Sequence, residues 1–362
     1  MSKIINIPKL RFKEFSGVWE DKLIGQILTV GSGKDYKHLS NGDIPVYGTG
    51  GYMLSVNDYL YDGESVGIGR KGTIDKPIFL TGKFWTVDTL FYTHSFKNSV
   101  PKFIYSIFQR INWKLYNEAS GVPSLSKSTI EKIKIFIPSK HEQEKIASFL
   151  ISIDTRIEQL TKKEQLLQQY KKSVMQKIFN QEIRFKADDG SEFCDWEEKK
   201  LGDILDYIQP TKYLVKDTEY NDSYTIPVLT AGKTFILGYT NETDGVFENN
   251  LPVIIFDDFT TANKFVNFPF KAKSSAMKIL VSKNNNIKFI YEAIQMIKYE
   301  VGGHERHWIS KFSFLNIFIP CIEEQTKIAN FLSSIDSKIE KVKKQLNSTK
   351  EFKKALLQQM FV

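Results

Sequence analysis

The chain has 362 residues, 41% of them hydrophobic and 25% charged, enough for two or three compact domains. Its formal charge of +8 favours a polyanionic partner, although a charge spread over this length does not name one. Two cysteines, Cys194 and Cys321, exclude a disulfide-framed scaffold and suggest a reducing compartment. The first residues lack the apolar core of a signal peptide, and no apolar run is long enough to cross a bilayer, so a cytoplasmic protein is expected.

The N-terminal leader ends in LRFKEFSGVWEDKLIGQIL, and a similar stretch, EIRFKADDGSEFCDWEEKKLGDIL, returns in mid-chain. Trp19 and Trp196, Gly25 and Gly202, and Leu28 and Leu205 stand 177 residues apart, and Arg11-Phe12-Lys13 corresponds to Arg184-Phe185-Lys186. Residues 19–137 then read as short strands between Gly, Asn and Asp turns. The predicted strands lie at 44–47, 66–68 and 73–80, with a helix over 101–113 and a last strand at 133–137.

A long helix is predicted next. Residues 136–179 begin FIPSKHEQEKIASFL, and residues 318–361 begin FIPCIEEQTKIANFL, with Pro138/Pro320, Gln143/Gln325, Asp154/Asp336 and Glu158/Glu340 all 182 apart. Such self-similarity marks a repeated supersecondary unit. In the first copy Leu150, Ile153, Ile157, Leu160, Leu167, Val174 and Ile178 recur at three- and four-residue steps. In the second, Leu332, Ile335, Ile339, Val342, Leu346, Leu356 and Met360 do the same. That spacing keeps an apolar stripe on one face, as a coiled-coil partner requires, although Glu164, Lys171 and Lys353 interrupt it. Ser139 followed by Glu142 suggests a capping box. At 1.5 Å per residue, each helix could extend ~60 Å.

Between the two helices, residues 196–319 repeat the scheme of the first segment. Strands are predicted at 226–229, 253–256, 277–281 and 312–319, and a helix at 289–297. The two middles share little sequence within a common frame. This pattern expects two modules of one fold whose loops meet different targets. The expected fold is mixed α/β (α+β): two similar globular domains joined by two long antiparallel coiled-coil helices, as a pseudo-twofold internal repeat. The expected divisions are 1–137, 138–180, 181–319 and 320–362. With Val362 directly following the second helix, the leader before Trp19 is expected to complete the packing between the repeats.

Several chemical motifs fail on context. Gly67, Gly69 and Gly72 satisfy G-x-G-x-x-G but open no helix, so a dinucleotide site is not expected. Gly31-Ser32-Gly33-Lys34 resembles part of a phosphate loop, but Leu28 stands where its first glycine should be. His304 and His307 lack zincin spacing, and no cysteine cluster accompanies them. Asp257-Asp258 is read as a turn that fixes loop geometry rather than a metal site. The Asn-Pro-Pro or Asp-Pro-Pro signature of an adenine methyltransferase is absent, and no catalytic centre is expected.

What remains is basic and polar loop chemistry. The first module carries Lys34, Lys37, His38, Arg70, Lys71 and Lys76. The second carries Lys212, Lys233, Thr234, Thr260, Thr261, Asn263, Lys264, Lys271, Lys273 and Arg306. Arginine can bridge the acceptor edge of guanine and asparagine that of adenine, while lysines mostly hold phosphates. Arg70 and Arg306 stand out because glycines flank them. The residues expected to bind DNA are Lys34, Lys37, Arg70, Lys71, Lys212, Lys233, Thr260, Thr261, Asn263, Lys264 and Arg306.

With both proline-led helices, the matched Glu142-Gln143/Glu324-Gln325 and Ile153-Asp154/Ile335-Asp336 pairs, the Trp19-Glu20 and Trp196-Glu197 openings and the Gly69-Arg70-Lys71-Gly72 loop, the chain resembles the specificity subunit of a type I restriction–modification enzyme. The resemblance covers about 11–361. It implies two target-recognition domains, each reading one half of a split double-stranded DNA site, with the helices setting the gap. It implies a non-catalytic subunit that assembles with two methyltransferase (modification) subunits and, through them, with ATP-driven motor subunits. S-adenosylmethionine, ATP and Mg are expected only on those partners. The rival reading from the helices alone is a protein-interaction scaffold with two modules on a coiled-coil strut.

Overall fold

The computed structural model describes residues 6–232, 234–300 and 306–362. It forms two compact units, Met1–Lys163 with Val342–Val362, and Glu164–Lys341. The long helices are Lys140–Phe179 and Ile322–Gln359. Each unit pairs the start of one long helix with the end of the other, the antiparallel arrangement read from the repeat.

In the first unit a four-stranded antiparallel sheet has the order Thr29–Ser32, Leu90–His94, Ser65–Gly69, Ile78–Leu80. A second sheet orders Gly51–Val56, Asn41–Gly48, Lys83–Thr86 and Tyr61–Asp62, with Asn41–Gly48 and Lys83–Thr86 parallel. In the second unit the corresponding sheets are Leu205–Ile208, Met277–Ser282, Val253–Asp257, Asn263–Val266, and Ile236–Thr240, Ile226–Leu229, Lys271–Ala272. Here too the central strand of the second sheet, Ile226–Leu229, runs parallel to one neighbour. Strand order therefore recurs where sequence does not. Buried β-branched and aromatic runs such as Val253, Ile254, Ile255 and Phe256 satisfy both faces of a covered sheet with almost any apolar choice, so the order survives as the residues change.

Each module's helix closes over its sheet. Pro101 starts the helix Pro101–Arg110 with its φ already set, and Phe103, Ile104, Ile107 and Phe108 form its buried stripe. This helix is shorter than the 101–113 predicted. Ile111 turns extended, and the Trp113 indole donates to the Phe108 carbonyl at 2.8 Å, fixing a separate 3-10 turn, Trp113–Tyr116. Its counterpart is Ile287–Ile294, against 289–297 expected. Asn286 caps it by accepting from the Lys288 and Phe289 amides. The strand expected at 73–80 is only Ile78–Leu80. The Thr73 carbonyl lies against Gly69, and Pro77 has no amide to offer a ladder. The strand expected at 312–319 is a 3-10 turn, Phe312–Phe314, then Asn316–Ile319. Phe312 is drawn inward against Phe256, with ring centroids 4.9 Å apart.

The matched residues of the repeat are the fasteners that bind module to helix. Gln143 accepts from the Val100 amide and donates to the Asn98 and Pro138 carbonyls. Gln325 accepts from the Asn286 amide and donates to Asn285 Oδ1 and the Pro320 carbonyl. Arg11 grips Glu142 through two bonds of 2.7 Å, and Arg184 grips Glu324 through two of 2.9 Å. The capping box is thereby corrected. Ser139 Oγ accepts from the Glu142 amide at a long 3.4 Å, but the Glu142 carboxylate is held by Arg11. The leader also meets the second helix, the Leu10 amide donating to the Gln359 carbonyl at 2.9 Å.

Most of the predicted seam is buried, with Ile157 and Leu167 partly so. Two of the interruptions are ion-pair partners. Lys171 donates to Asp336 at 2.7 Å and to Glu292 at 3.0 Å; Lys353 donates to Asp154 at 2.6 Å and to Gln109 at 3.0 Å. The pairs Lys171–Asp336 and Lys353–Asp154 use residues at the repeat offset, so each unit makes the same helix–helix contact. In the second unit Lys288 adds bonds to Glu292 at 2.6 Å and Asp336 at 2.9 Å. Burial pushes the Asp336 carboxyl pKa up, yet the hydrogen bonds from Lys171 and Lys288 outweigh it and hold it below its ordinary value. A carboxylate with a depressed folded-state pKa contributes stability that is present above its unfolded value and lost as pH falls through its folded one. Asp336→Asn is thus expected to flatten the acid limb of the stability profile below the ordinary Asp range. Denaturant melts across pH read this directly, and an unchanged acid slope would refute it.

Candidate nucleic-acid interface

Three exposed cations of the first unit, Lys34, Arg70 and Lys71, lie at one end of its sheet. Ser32 and Ile68 both pair with Phe91, so their strands leave the sheet on either side of the same strand. Beyond that point both chains bond to the turn at 86–90. The Lys34 amide donates to the Thr86 carbonyl at 2.9 Å, and the Arg70 amide to that of Thr89 at 2.8 Å. Lys34, Arg70 and Lys71 are exposed around this turn, and Lys37 is exposed three residues further along the Lys34 loop. The Arg70 guanidinium is loosely held, 3.5 Å from the Asp88 carbonyl and 5.9 Å from the centre of the Phe91 ring.

The glycine motifs have a steric cause here. A Cβ on Gly33 would run into the Val87 carbonyl oxygen, and one on Gly69 into that of Thr73. These glycines permit close backbone approach at the sheet end, and Ser65–Gly69 is a strand that no helix follows.

Sequence reasoning missed the hairpin beside this loop. Tyr52 and Met53, 63% and 48% exposed, follow the tip between Asn41–Gly48 and Gly51–Val56. Thr49 Oγ1 would lie 3.8 Å from a Cβ on Gly72, so the tip borders the Arg70 loop. The run Gly48-Thr49-Gly50-Gly51 was the available signal: a glycine-rich turn presenting two large apolar side chains.

The second unit builds the same sheet end from other residues. Lys212 is exposed on the 3-10 turn Pro210–Tyr213, just past Leu205–Ile208, where the Lys34 loop lies in the first unit. Between Val253–Asp257 and Asn263–Val266, Asp257 Oδ1 accepts from the Phe259 amide at 2.9 Å and the Thr260 amide at 3.0 Å. Thr261, at φ +57°, completes this turn. Thr260 and Lys264 are exposed, and Phe259, which sequence reasoning also missed, is 39% exposed between them and Asp257. Asn263 is half-buried and already engaged, donating to the Thr261 carbonyl at 3.3 Å and accepting from Gln295.

Arg306 joins the same end, exposed, because the next two residues bond to Asp258. The His307 amide donates to the Asp258 carbonyl at 2.8 Å and the Trp308 amide to Asp258 Oδ1 at 2.9 Å. The two carboxylates of Asp257-Asp258 thus organise backbone, as the turn reading expected. Among the described residues no group of three or more His, Cys, Asp or Glu could hold a metal. Lys233 and His304 lie outside the described residues.

Lys271 requires a correction. It is 1% exposed and donates to Glu242 Oε2 at 2.9 Å and to the Asp244 carbonyl, so it braces the module's interior and cannot reach a ligand. Its apolar stem and single charge fit a buried strand once an acid is folded against it, which sequence spacing does not reveal.

The profile described as type I restriction modification DNA specificity domain matches the chain twice, over residues 17–168 and 194–350. The chain is 55% identical over 141 residues to the EcoR124I/EcoR124II specificity subunit of Escherichia coli, a match spanning 37% of this chain and 35% of that one. It is 26% identical over 347 residues to the MjaVIII specificity subunit of Methanocaldococcus jannaschii, spanning 84% and 78% of the two chains. The crystal structure of a type I restriction–modification S subunit from M. genitalium shares the fold, with a TM-score of 0.74 and 16% identity over 98% of this chain and 99% of that one. No helix among the described residues is long and apolar enough to cross a membrane.

Proposed function

Because the chain belongs to the type I restriction–modification DNA specificity family, we propose that it reads a two-part double-stranded DNA target, one part with each unit. The observation that carries this reading is the sheet end that recurs in both units while its side chains change: Lys34, Arg70 and Lys71 in one, Lys212, Thr260, Lys264 and Arg306 in the other. A common frame with different loops suits two half-sites of different sequence. The subunit supplies recognition and is not itself the enzyme. It works in the cytoplasm with two modification subunits that carry S-adenosylmethionine, and with ATP- and Mg-dependent motor subunits. The long helices would set the unread gap between the half-sites.

Mapping methylated adenines in DNA exposed to the chain assembled with modification subunits tests this. The expected result is a bipartite motif with a fixed gap; one continuous site would overturn it. Arg70→Ala is expected to relax a single half-site by about 1–3 kcal/mol if Arg70 bridges a guanine. Binding to duplexes altered one base pair at a time measures this, and an equal loss on all sequences would assign Arg70 to phosphate instead.

A further inference from the structure

The two units put opposite charges at one topological position. Ile68 and Gly69 pair with Phe91 and Leu90, and Phe256 and Asp257 pair with Lys278 and Met277. Arg70 and Asp258 are therefore each the first residue beyond the equivalent strand. Arg70 is exposed, whereas Asp258 is 1% exposed. The residue across the sheet is exchanged as well, Phe91 in one unit and fully buried Lys278 in the other. Lys278 Nζ lies 3.6 Å from Asp258 Oδ2, too far for a hydrogen bond, and 4.7 Å from the centre of the Tyr207 ring. Among the described residues Lys278 Nζ has no hydrogen-bond partner, so what it offers Asp258 is an opposite charge.

A buried ion pair gives little net stability over apolar side chains of similar volume, and the first unit uses Phe91 at this place. What the Asp258 side chain does that an apolar one could not is accept from the Trp308 amide through Oδ1. This adds to the bond from the His307 amide to the Asp258 backbone carbonyl and stitches that segment to the strand end immediately after Arg306. We propose that Asp258, which faces Lys278, is a positioning residue that delivers Arg306 to the place Arg70 occupies in the other unit, so that Arg306 reads a base from a different chain segment. This rests on the reading that each unit meets DNA through this sheet end.

The test uses the full chain with its modification subunits and duplexes altered at each base pair of both half-sites. Arg306→Ala is expected to lose roughly tenfold discrimination or more at particular base pairs of one half-site. The pair variant Asp258→Ala/Lys278→Met leaves no lone buried charge, which favours folding. It is expected to lose discrimination at the same base pairs, with no further loss when Arg306→Ala is added, and with the other half-site untouched. Asp258→Asn/Lys278→Met keeps both acceptors without stranding the lysine and is expected to retain that discrimination; if the Asp258→Ala pair variant does not fold, this variant decides, its loss overturning the proposal. Retention of the Arg306-dependent base pairs in the pair variant, uniform loss across the half-site, additivity with Arg306→Ala, or no effect of Arg306→Ala would each overturn it. Absence of any two-part motif in the unaltered protein would instead overturn DNA reading itself.

Discussion

Glu324→Ala is expected to destabilise the second unit by about 3–5 kcal/mol, the cost of leaving several buried donors without their charged acceptor. The Glu324 side chain is 0% exposed. Its oxygens accept from Arg184 Nε and Nη2, each at 2.9 Å, from the Trp196 indole at 3.2 Å and from the Phe185 amide at 3.3 Å. The bond to Glu324 is also what most raises the Arg184 pKa. Alanine leaves Arg184 Nη2 the Cys194 carbonyl at 2.7 Å but takes their Glu324 acceptor from Arg184 Nε, the Trp196 indole and the Phe185 amide. Glu142→Ala in the first unit should cost less. Among the described residues the Glu142 carboxylate accepts from Arg11 alone, and the Trp19 indole, unlike that of Trp196, has no acceptor to lose. Urea melts followed by tryptophan fluorescence would check the order; a Glu142→Ala loss equal to that of Glu324→Ala would contradict it.

A loss of similar size, about 3–5 kcal/mol, is expected from Phe361→Ala in the first unit, by lost burial and the cavity left behind. Phe361 is 4% exposed, stacked on Phe103 at 5.3 Å and edge-on to Trp19 at 6.0 Å, and the Arg110 guanidinium lies 5.7 Å from its ring centre. Phe179 takes the same part in the second unit, 6.2 Å from Trp196 and 5.5 Å from Phe289. Each module's opening tryptophan is thus closed over by a phenylalanine at the end of a long helix, Phe179, or just past it, Phe361. Phe361→Leu, which keeps most of the volume, should recover much of the loss. A melt of Phe361→Ala indistinguishable from the unaltered protein would show that this aromatic cluster is dispensable.

The frame was legible because its physics is local or periodic. The three- and four-residue spacing of Leu150, Ile153 and Ile157 specifies a helical face wherever the helix is placed. Even the interruptions carried information, Lys171 and Lys353 standing at the repeat offset. Their partners Asp336 and Asp154 stood at that same offset, but nothing in the spacing joined them across the seam. Caps and turn ends were read less well, since the stop after Arg110 depends on an indole reaching back to the Phe108 carbonyl.

By itself the sequence determined a duplicated chain with two long helices, two strand-rich modules and basic loops, because hydrophobic period, self-similarity and glycine placement are properties of neighbouring residues. Only the tertiary structure decided which basic residues are open to a ligand. Lys271 and Lys278 read like Lys264 along the chain, yet the first two are buried beside Glu242 and Asp258 while Lys264 is exposed. Arg306 reaches the Thr260 turn through amide bonds to Asp258, about fifty residues away in sequence. Burial and long-range hydrogen bonds depend on what the fold brings alongside a residue, and no local pattern encodes that.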